Sequence, residues 1–459
     1  MGATLVTLSN ILKEYYMGPV VEQLNKEVLL LSRLESRAED LVGKRAYVPL
    51  SATRTSGIGA RSENAALPTA GNLSYEKAVY DLKYLYGKVN VTGPSMAKTK
   101  SEAGAFLQAL KSELDGLRID LRKDLARQVY GAGTGTIAAI TAISAKGATV
   151  SGVTAAAGDC IITLKANSSS GYETGEGYEA ISKGQLYVGM VITLKTSAGV
   201  DVTHGVAIPI TGVFPNAAAG VHLITVTTAT APTFASGQII VRAGVNQYAS
   251  AEVPVNGNPG TYSLSDEVDG LRRIVSANPL GGITATGSNS WWAAQTVTPE
   301  NATATNGVRV LAFDDIQKAI NKVRNAGGTP TAIVTSLGVQ REIYNLFTAA
   351  GTVYTEQVNT PDYQAGFRTL TYAGLPIVSD LEAPYGTMYI LDESSLKVFS
   401  DQDFHFLDAD GQTLRQAGNV DAFEAVMVRY MNMGATRRNN QCVISNIAVD
   451  GAGNFDQGF

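Results

Sequence analysis

The residues in this 459-residue chain that could carry chemistry are its histidines, cysteines, acidic runs and glycine-rich turns, and their spacing assembles no active centre. Of the three histidines, His204 and His222 lie in a Thr- and Val-rich middle stretch and His405 lies within Phe404-His405-Phe406, a pattern of strand or surface positions. Cys160 and Cys442 are isolated, with neither a disulfide framework nor metal-ligand spacing. Gly131-Ala132-Gly133-Thr134-Gly135 is glycine-rich, but it follows a helical pattern instead of a strand, and Thr136 stands where a dinucleotide fingerprint needs its last glycine. Gly43-Lys44 lacks the upstream glycine of a phosphate loop, and neither HExxH nor GxSxG occurs. Asp408-Ala409-Asp410-Gly411 has part of a calcium-loop pattern without its third aspartate or terminal glutamate, and reads better as a hairpin turn. Glu173, Glu176 and Glu179 could gather a cation or form a solvated acidic loop. Trp291-Trp292 reads as a core or interface anchor. The expectation is a protein that is not an enzyme, with no catalytic, cofactor-binding or metal residues.

Composition narrows the class further. A net charge of −5 and a charged fraction of 17 % do not describe a surface built to neutralise nucleic-acid phosphates. No run of 18 apolar residues occurs, so no membrane helix is expected. The start lacks the basic and apolar regions of a signal peptide, and Val6 stands where a myristoylation motif needs Ser or Thr. With its isolated cysteines, the chain suits synthesis and folding in a reducing cytoplasm.

The elements that any functional residues must sit on are clearer. Near the N-terminus, Gly18-Pro19 starts a helix on which Val20, Val21, Leu24, Val28, Leu31 and Leu34 make one apolar stripe. That stripe suits docking on the chain's own core or on a neighbouring subunit. Lys44–Ser51 reads as a short strand whose Pro49 marks an edge. From Ala78 the alternation places Ala78, Tyr80, Leu82, Tyr84 and Tyr86 on one face and Lys77, Asp81 and Lys83 on the other. At Gly87 the phase is expected to flip, as at a bulge. Between the strands, about two dozen small and polar residues make a connection too long for a compact domain. A lone two-stranded ribbon is marginal in water, so this one needs a surface to lie on, its own or another copy's.

A long helix follows over Thr99–Tyr130, opened by the capping-box spacing Thr99-Lys100-Ser101-Glu102. Leu107, Leu110, Leu114, Leu117, Leu121, Leu125 and Val129 form its stripe, and Gly131 stops it. Residues 134–254 change character, with short β-branched runs separated by turn residues, the pattern of an inserted all-β domain. Beyond residue 255, helices over Leu264–Ile274, Phe313–Val323 and Leu337–Phe347 mix with strands near Ala332–Thr335, Leu375–Val378, Met388–Leu391, Lys397–Phe399, Ala422–Arg429 and Cys442–Ile447. That mixture argues for an α+β fold.

This order of elements resembles the major capsid protein of tailed double-stranded DNA bacteriophages, the Johnson fold of the Hong Kong ninety-seven type. Local wording is similar too: Ser290-Trp291-Trp292-Ala293, Asp315–Arg324, Thr331–Ser336 entering a helix, Tyr372–Val378, and Tyr389-Ile390-Leu391-Asp392. The resemblance implies a tailed-phage capsid fold in which 1–45 is the N-terminal arm (N-arm), 46–95 the extended E-loop and 96–133 the spine helix of the peripheral domain. Residues 134–254 would be an inserted all-β domain, and 255–459 the remainder of the peripheral and axial domains.

The resemblance implies a subunit that self-assembles through hexamers and pentamers into an icosahedral head, assembled in the host cytoplasm and ending as the virion capsid. The head would enclose double-stranded DNA without sequence specificity, with no membrane and no cofactors. A separate scaffolding protein, a portal and a decoration protein are the implied partners. Candidate assembly-interface residues are Arg54, Arg61 and Glu63 in the loop, Tyr80 and Tyr84 on its second strand, and Leu24, Val28 and Leu31 on the arm. Some relatives join subunits by a lysine–asparagine bond. This loop tip has no lysine, the nearest being Lys44 and Lys77, so a non-covalent shell is expected. A nanocompartment shell subunit of the same fold and a tail or baseplate structural protein are the alternative readings. The insertion is expected to face outward and to be dispensable for assembly of the core.

Overall fold

In the computed structural model the described residues are 29–35, 39–40, 45–94, 103–165, 177–196, 200–202, 207–218, 221–228, 238–246, 253–254, 262–263, 265–300, 309–349, 370–407, 415–416, 418, 420–449 and 454–455. The N-terminal stripe as far as Val28, the capping box at Thr99–Glu102, Glu173, Glu176, His204 and Asp408–Gly411 therefore lie outside the described residues.

The larger of two units contains 28–86, 122–405 and 428–459, and a mixed six-stranded sheet organises it. Its strand order is Gln295–Val297, Cys442–Ile444, Met388–Leu391, Ala332–Thr335, Leu375–Ser379 and Leu370–Tyr372. Alternation along these strands sorts side chains into two cores. Ile333, Ile377, Met388, Ile390, Cys442 and Ile444 face one, packed with Ile316, Ile320 and Val323 of the helix Phe313–Asn325 and Val339 and Ile343 of the helix Leu337–Ala349. Ala332, Val334, Tyr389, Leu391 and Val443 face the other, which takes in Leu125, Val129 and Tyr130 at the end of the long helix and Trp292. Trp292 is fixed by its indole N–H donating to the Leu280 carbonyl at 3.1 Å.

The long helix is described over Ala103–Tyr130, a rod of about 42 Å. Its C-terminal turns carry a buried ion pair, with Arg127 on both oxygens of Glu267 at 3.2 and 2.5 Å and on Asp124 at 3.2 Å. Gly133 and Gly135 then adopt positive φ (68° and 75°) and turn the chain into the next element, which is the structural use of the glycine-rich run. That element is a closed barrel in which Ile208–Ala218, Val221–Thr227, Asp159–Leu164, Thr136–Ile143, Gln238–Arg242 and Val191–Thr196 are successive neighbours. Ile140, Ile162, Leu164, Ile192, Leu194, Ile210, Ile224 and Ile240 fill its interior. First and last strands pair antiparallel, Ile239 opposite Ala139, so the chain enters and leaves side by side. The strand Ile208–Ala218 is missing from the sequence reading because Pro209, Gly212 and Pro215 break its pattern.

In the smaller unit, which contains 87–121 and 406–427, Gly87 lies against the long helix. A Cβ there would sit 2.6 Å from Leu121 Cδ1 and 2.8 Å from Leu117 Cδ1. Lys88 pairs with Glu424 at 2.5 Å, and Gly93 N–H donates to the Asp421 carbonyl at 2.8 Å.

Two expectations need correction. The strand phase changes at Leu82, between Tyr75–Asp81 and Lys83–Thr92, and not at Gly87. Lys83 and Leu85 are accordingly buried while Tyr84 and Tyr86 face out, and the glycine serves the helix's close approach instead of a bulge. The helix expected over Leu264–Ile274 is one turn, Leu271–Ile274. Upstream, the N–H groups of Glu267, Val268 and Asp269 donate to Ser265 Oγ, Gln128 Oε1 and Asn432 Oδ1, side-chain acceptors that replace a helical ladder.

Replacing Arg127 with Met leaves Glu267 buried without its cation. The expected loss is about 3–5 kcal/mol of protomer stability, measured by denaturant unfolding. A loss under about 1 kcal/mol would show that the pair is not load-carrying at this junction.

Candidate assembly interface

The ribbon begins as two paired strands, Arg45–Ser51 against Tyr75–Asp81, in unbroken register from Arg45 opposite Asp81 to Ser51 opposite Tyr75. Past the strands, small polar residues continue the pairing. Ala52 N–H donates to the Ser74 carbonyl at 2.9 Å, Thr53 Oγ1 lies 2.9 Å from Ser74 Oγ, and Thr55 Oγ1 donates to the Gly71 carbonyl at 2.9 Å. At Gly71 the two tracks nearly touch, since a Cβ there would lie 2.6 Å from the Ser56 nitrogen. Ala65 N–H closes the tip on the Ser62 carbonyl at 3.1 Å, with Asn64 at φ 69°. Arg61 braces it by donating to the Ala66 carbonyl at 3.2 Å.

This extension has no core of its own. Arg54, Arg61 and Glu63 are exposed, and so are the apolar side chains of Tyr47 (57 %), Ile58 (77 %), Leu67 (86 %) and Tyr75 (70 %). Burying such side chains on association is worth about 1.5–3 kcal/mol each. The ribbon thus leaves four large apolar side chains in water, with the charges of Arg54, Arg61 and Glu63 also exposed.

Its root is built quite differently. Tyr80 is 1 % exposed, stacks on Phe399 at 5.4 Å, donates its hydroxyl to the Ala435 carbonyl at 2.9 Å and accepts from Ala435 N–H at 3.2 Å. Burial pushes its phenol well above the ordinary range. Gly434 is beneath the ring, where a Cβ would come within 2.7 Å of it. Next along the strand, Arg45 pairs with Asp81 at 2.6 Å, and the Asp81 carbonyl accepts from Asn432 Nδ2 at 2.7 Å. The same amide nitrogen donates to Asp269 Oδ2 at 3.1 Å, and Asp269 also holds Arg273. Burial pushes the Asp269 carboxyl up to about 6, against the pull of Lys83, and brings the Arg273 guanidinium down to about 9. Lys83 donates to the Ser265 carbonyl from a buried position, and burial lowers its ammonium.

The expected interface residues therefore divide. Arg54, Arg61 and Glu63 are on the loop, and Tyr84 is half exposed on the outward side of its strand, edge-on to Tyr430 at 5.3 Å. Tyr80 is a correction, because the phase change at Leu82 turns its side chain into the protomer core. Leu24 and Val28 lie outside the described residues, as does the side chain of Leu31. Sequence reasoning missed Lys83, Asp269, Asn432 and Gly434; the sole local sign was the period Lys83, Leu85, Gly87 on one side of the strand. Elsewhere, His222 is buried in the barrel, His405 stands edge-on to Tyr430 at 6.4 Å, and both cysteines are buried. Among the described residues, no group of three His, Cys, Asp or Glu side chains is arranged to hold a metal.

Root and tip should respond oppositely in denaturant unfolding of the unassembled protomer. Tyr80→Phe is expected to cost about 1–2 kcal/mol by stripping partners from the Ala435 peptide groups. Ile58→Ser should stay within about 0.5 kcal/mol.

The sequence matches no family model, and no curated protein matches it. Among solved structures, the chain is similar to the cyanophage A-1(L) capsid asymmetric unit, with a TM-score of 0.56 at 11 % identity over 97 % of this chain and 99 % of that one. Matches below a TM-score of 0.5 include the capsid of a native GTA particle (0.45, 10 % identity, 98 % and 100 % covered) and the SrpI encapsulin of Synechococcus elongatus PCC 7942 (0.46, 8 % identity, 98 % and 98 % covered). The full-length cyanophage match, together with the mixed sheet, the long helix and the projecting ribbon, identifies the chain's architecture as the α+β tailed-phage capsid fold.

Proposed function

We propose that this protein is a major capsid protein, a subunit that self-assembles through hexamers and pentamers into an icosahedral head around double-stranded DNA. The observation that carries the reading is the ribbon, in which a well-anchored root supports an arm with no core of its own and with Tyr47, Ile58, Leu67 and Tyr75 exposed. An isolated protomer gains nothing from holding these groups in water. A neighbouring copy that covers them gains burial of apolar area, which is the usual driving force of association.

In this reading the loop residues Arg54, Arg61 and Glu63, together with Tyr84, contact the adjacent copy. A scaffolding protein and a portal direct closure and DNA entry, and a decoration protein is a further partner. DNA is enclosed without base contacts, in keeping with a chain of net charge −5. The subunits are held non-covalently, since the loop tip carries no lysine.

Replacing residues 54–74 with a short glycine turn tests this directly. The variant protomer is expected to keep its denaturant midpoint, because the root is untouched, and to form no closed particles by sedimentation and electron microscopy. Closed particles of normal size from that variant would overturn the role given to the ribbon. Purified wild-type particles should run on a denaturing gel at the monomer mass alone, and a ladder of higher bands would overturn the non-covalent shell.

A further inference from the structure

The turn Asp380–Tyr385, which follows the sheet strand Leu375–Ser379, receives contacts from three other parts of the larger unit. Asp380 Oδ2 accepts from the Tyr130 hydroxyl at the end of the long helix (2.8 Å) and from the Leu30 N–H in the N-terminal helix Leu29–Glu35 (3.2 Å). Within the turn, Glu382 N–H donates to Asp380 Oδ1 at 3.1 Å and Ala383 N–H to the Asp380 carbonyl at 3.2 Å.

The third contact comes from the barrel domain, at the end of the short helix Gly177–Ser182 whose Ala180 joins the barrel's core. The Lys183 side chain, 2 % exposed, donates to the carbonyls of Glu382 (3.1 Å) and Ala383 (2.8 Å) and to Glu179 Oε1 (2.6 Å). Its ammonium also stands 4.6 Å from the centroid of the Tyr385 ring. Beside it, Ser182 Oγ lies 3.0 Å from the Tyr385 hydroxyl. A buried ammonium is costly unless all its protons are directed at acceptors, and here they are. Without Lys183, two carbonyls at the closed end of the turn lose a charge-assisted partner, and the buried Glu382 loses a cation that favours its charged form.

We infer that the barrel is a clamp on the body: through Lys183 it holds the Asp380–Tyr385 turn in the conformation that keeps Asp380 on Leu30 and Tyr130, and so fixes the N-terminal helix. Lys183 is a positioning residue in this device. The inserted barrel is then a working part of the protomer and not a detachable outer ornament. Arg242 to Asp124 at 3.2 Å and Gln185 Nε2 donating to Glu382 Oε2 at 3.4 Å are further polar contacts that Lys183→Met leaves in place.

The test is amide hydrogen exchange on the full-length, unassembled protomer, which makes its outcome independent of the shell reading. In Lys183→Met, peptides covering 380–385 and 29–35 are expected to exchange about tenfold faster or more, while the barrel strand Val191–Thr196 keeps its protection. Unchanged exchange at 29–35 with the barrel intact would overturn the clamp. Should Lys183→Met unfold the barrel, Tyr385→Leu, which lies outside the barrel core, is read in the same way: faster exchange at 29–35 supports the clamp, and unchanged exchange overturns it.

Discussion

An arm of some thirty residues that buries almost nothing of itself can be ordered only from one end, and Tyr80 is what fixes that end. Its ring fills the space left by the missing side chain of Gly434 and stacks on Phe399, while its hydroxyl takes both peptide groups of Ala435. Burying one such ring is worth on the order of 2–3 kcal/mol, comparable to a sizeable share of a domain's net stability. The two hydrogen bonds keep the burial from leaving an unpaired hydroxyl. Every ordered feature farther out follows from this point, because each depends on its register being set at Arg45 opposite Asp81.

The root succeeds because the interior beside it carries charge in paired form. Asn432 lies between the Asp81 carbonyl and the Asp269 carboxylate, and Arg273 completes that carboxylate. Arg438 adds donors to the carbonyls of Arg273 and Ile274, both at 2.7 Å. Buried pairs of this kind give little net stability over apolar replacements, but breaking one side is expensive. Their effect is geometric: each fixes the angle at which one segment crosses another. The same logic holds at the end of the long helix, where Asp124, Arg127 and Glu267 set the direction in which the chain leaves for the barrel.

The mixed sheet turns these local ties into one body. Because successive side chains point to opposite faces, one sheet serves two cores, and the second core is shared by the long helix, the ribbon root and the N-terminal helix. The barrel is built differently, closed on itself, with an apolar cluster of its own among the described residues. Polar contacts tie it to the rest of the larger unit, among them those of the buried Lys183.

Much of this was legible in the chain itself. The helices Phe313–Asn325 and Leu337–Ala349 are periodic, the long helix shows its leucine spacing and Met388–Leu391 is a short apolar run, and such local patterns need no partner to be seen. The polar, glycine-containing connection between the two ribbon strands likewise announced an arm without a core. What the sequence could not state was which way each strand faced. The phase change at Leu82 placed Tyr80 inside and Tyr84 outside, and only contacts with Gly434 and Asn432, some 350 positions away, decided it. The single turn at Leu271–Ile274 and the buried Lys83 and Lys183 were hidden for the same reason, since each is fixed by partners distant in the chain, whereas the strand Ile208–Ala218 was hidden by its own Pro209, Gly212 and Pro215. Local pattern therefore determined the elements, and long-range hydrogen bonding and close packing determined which of their residues are anchors and which are left for another surface.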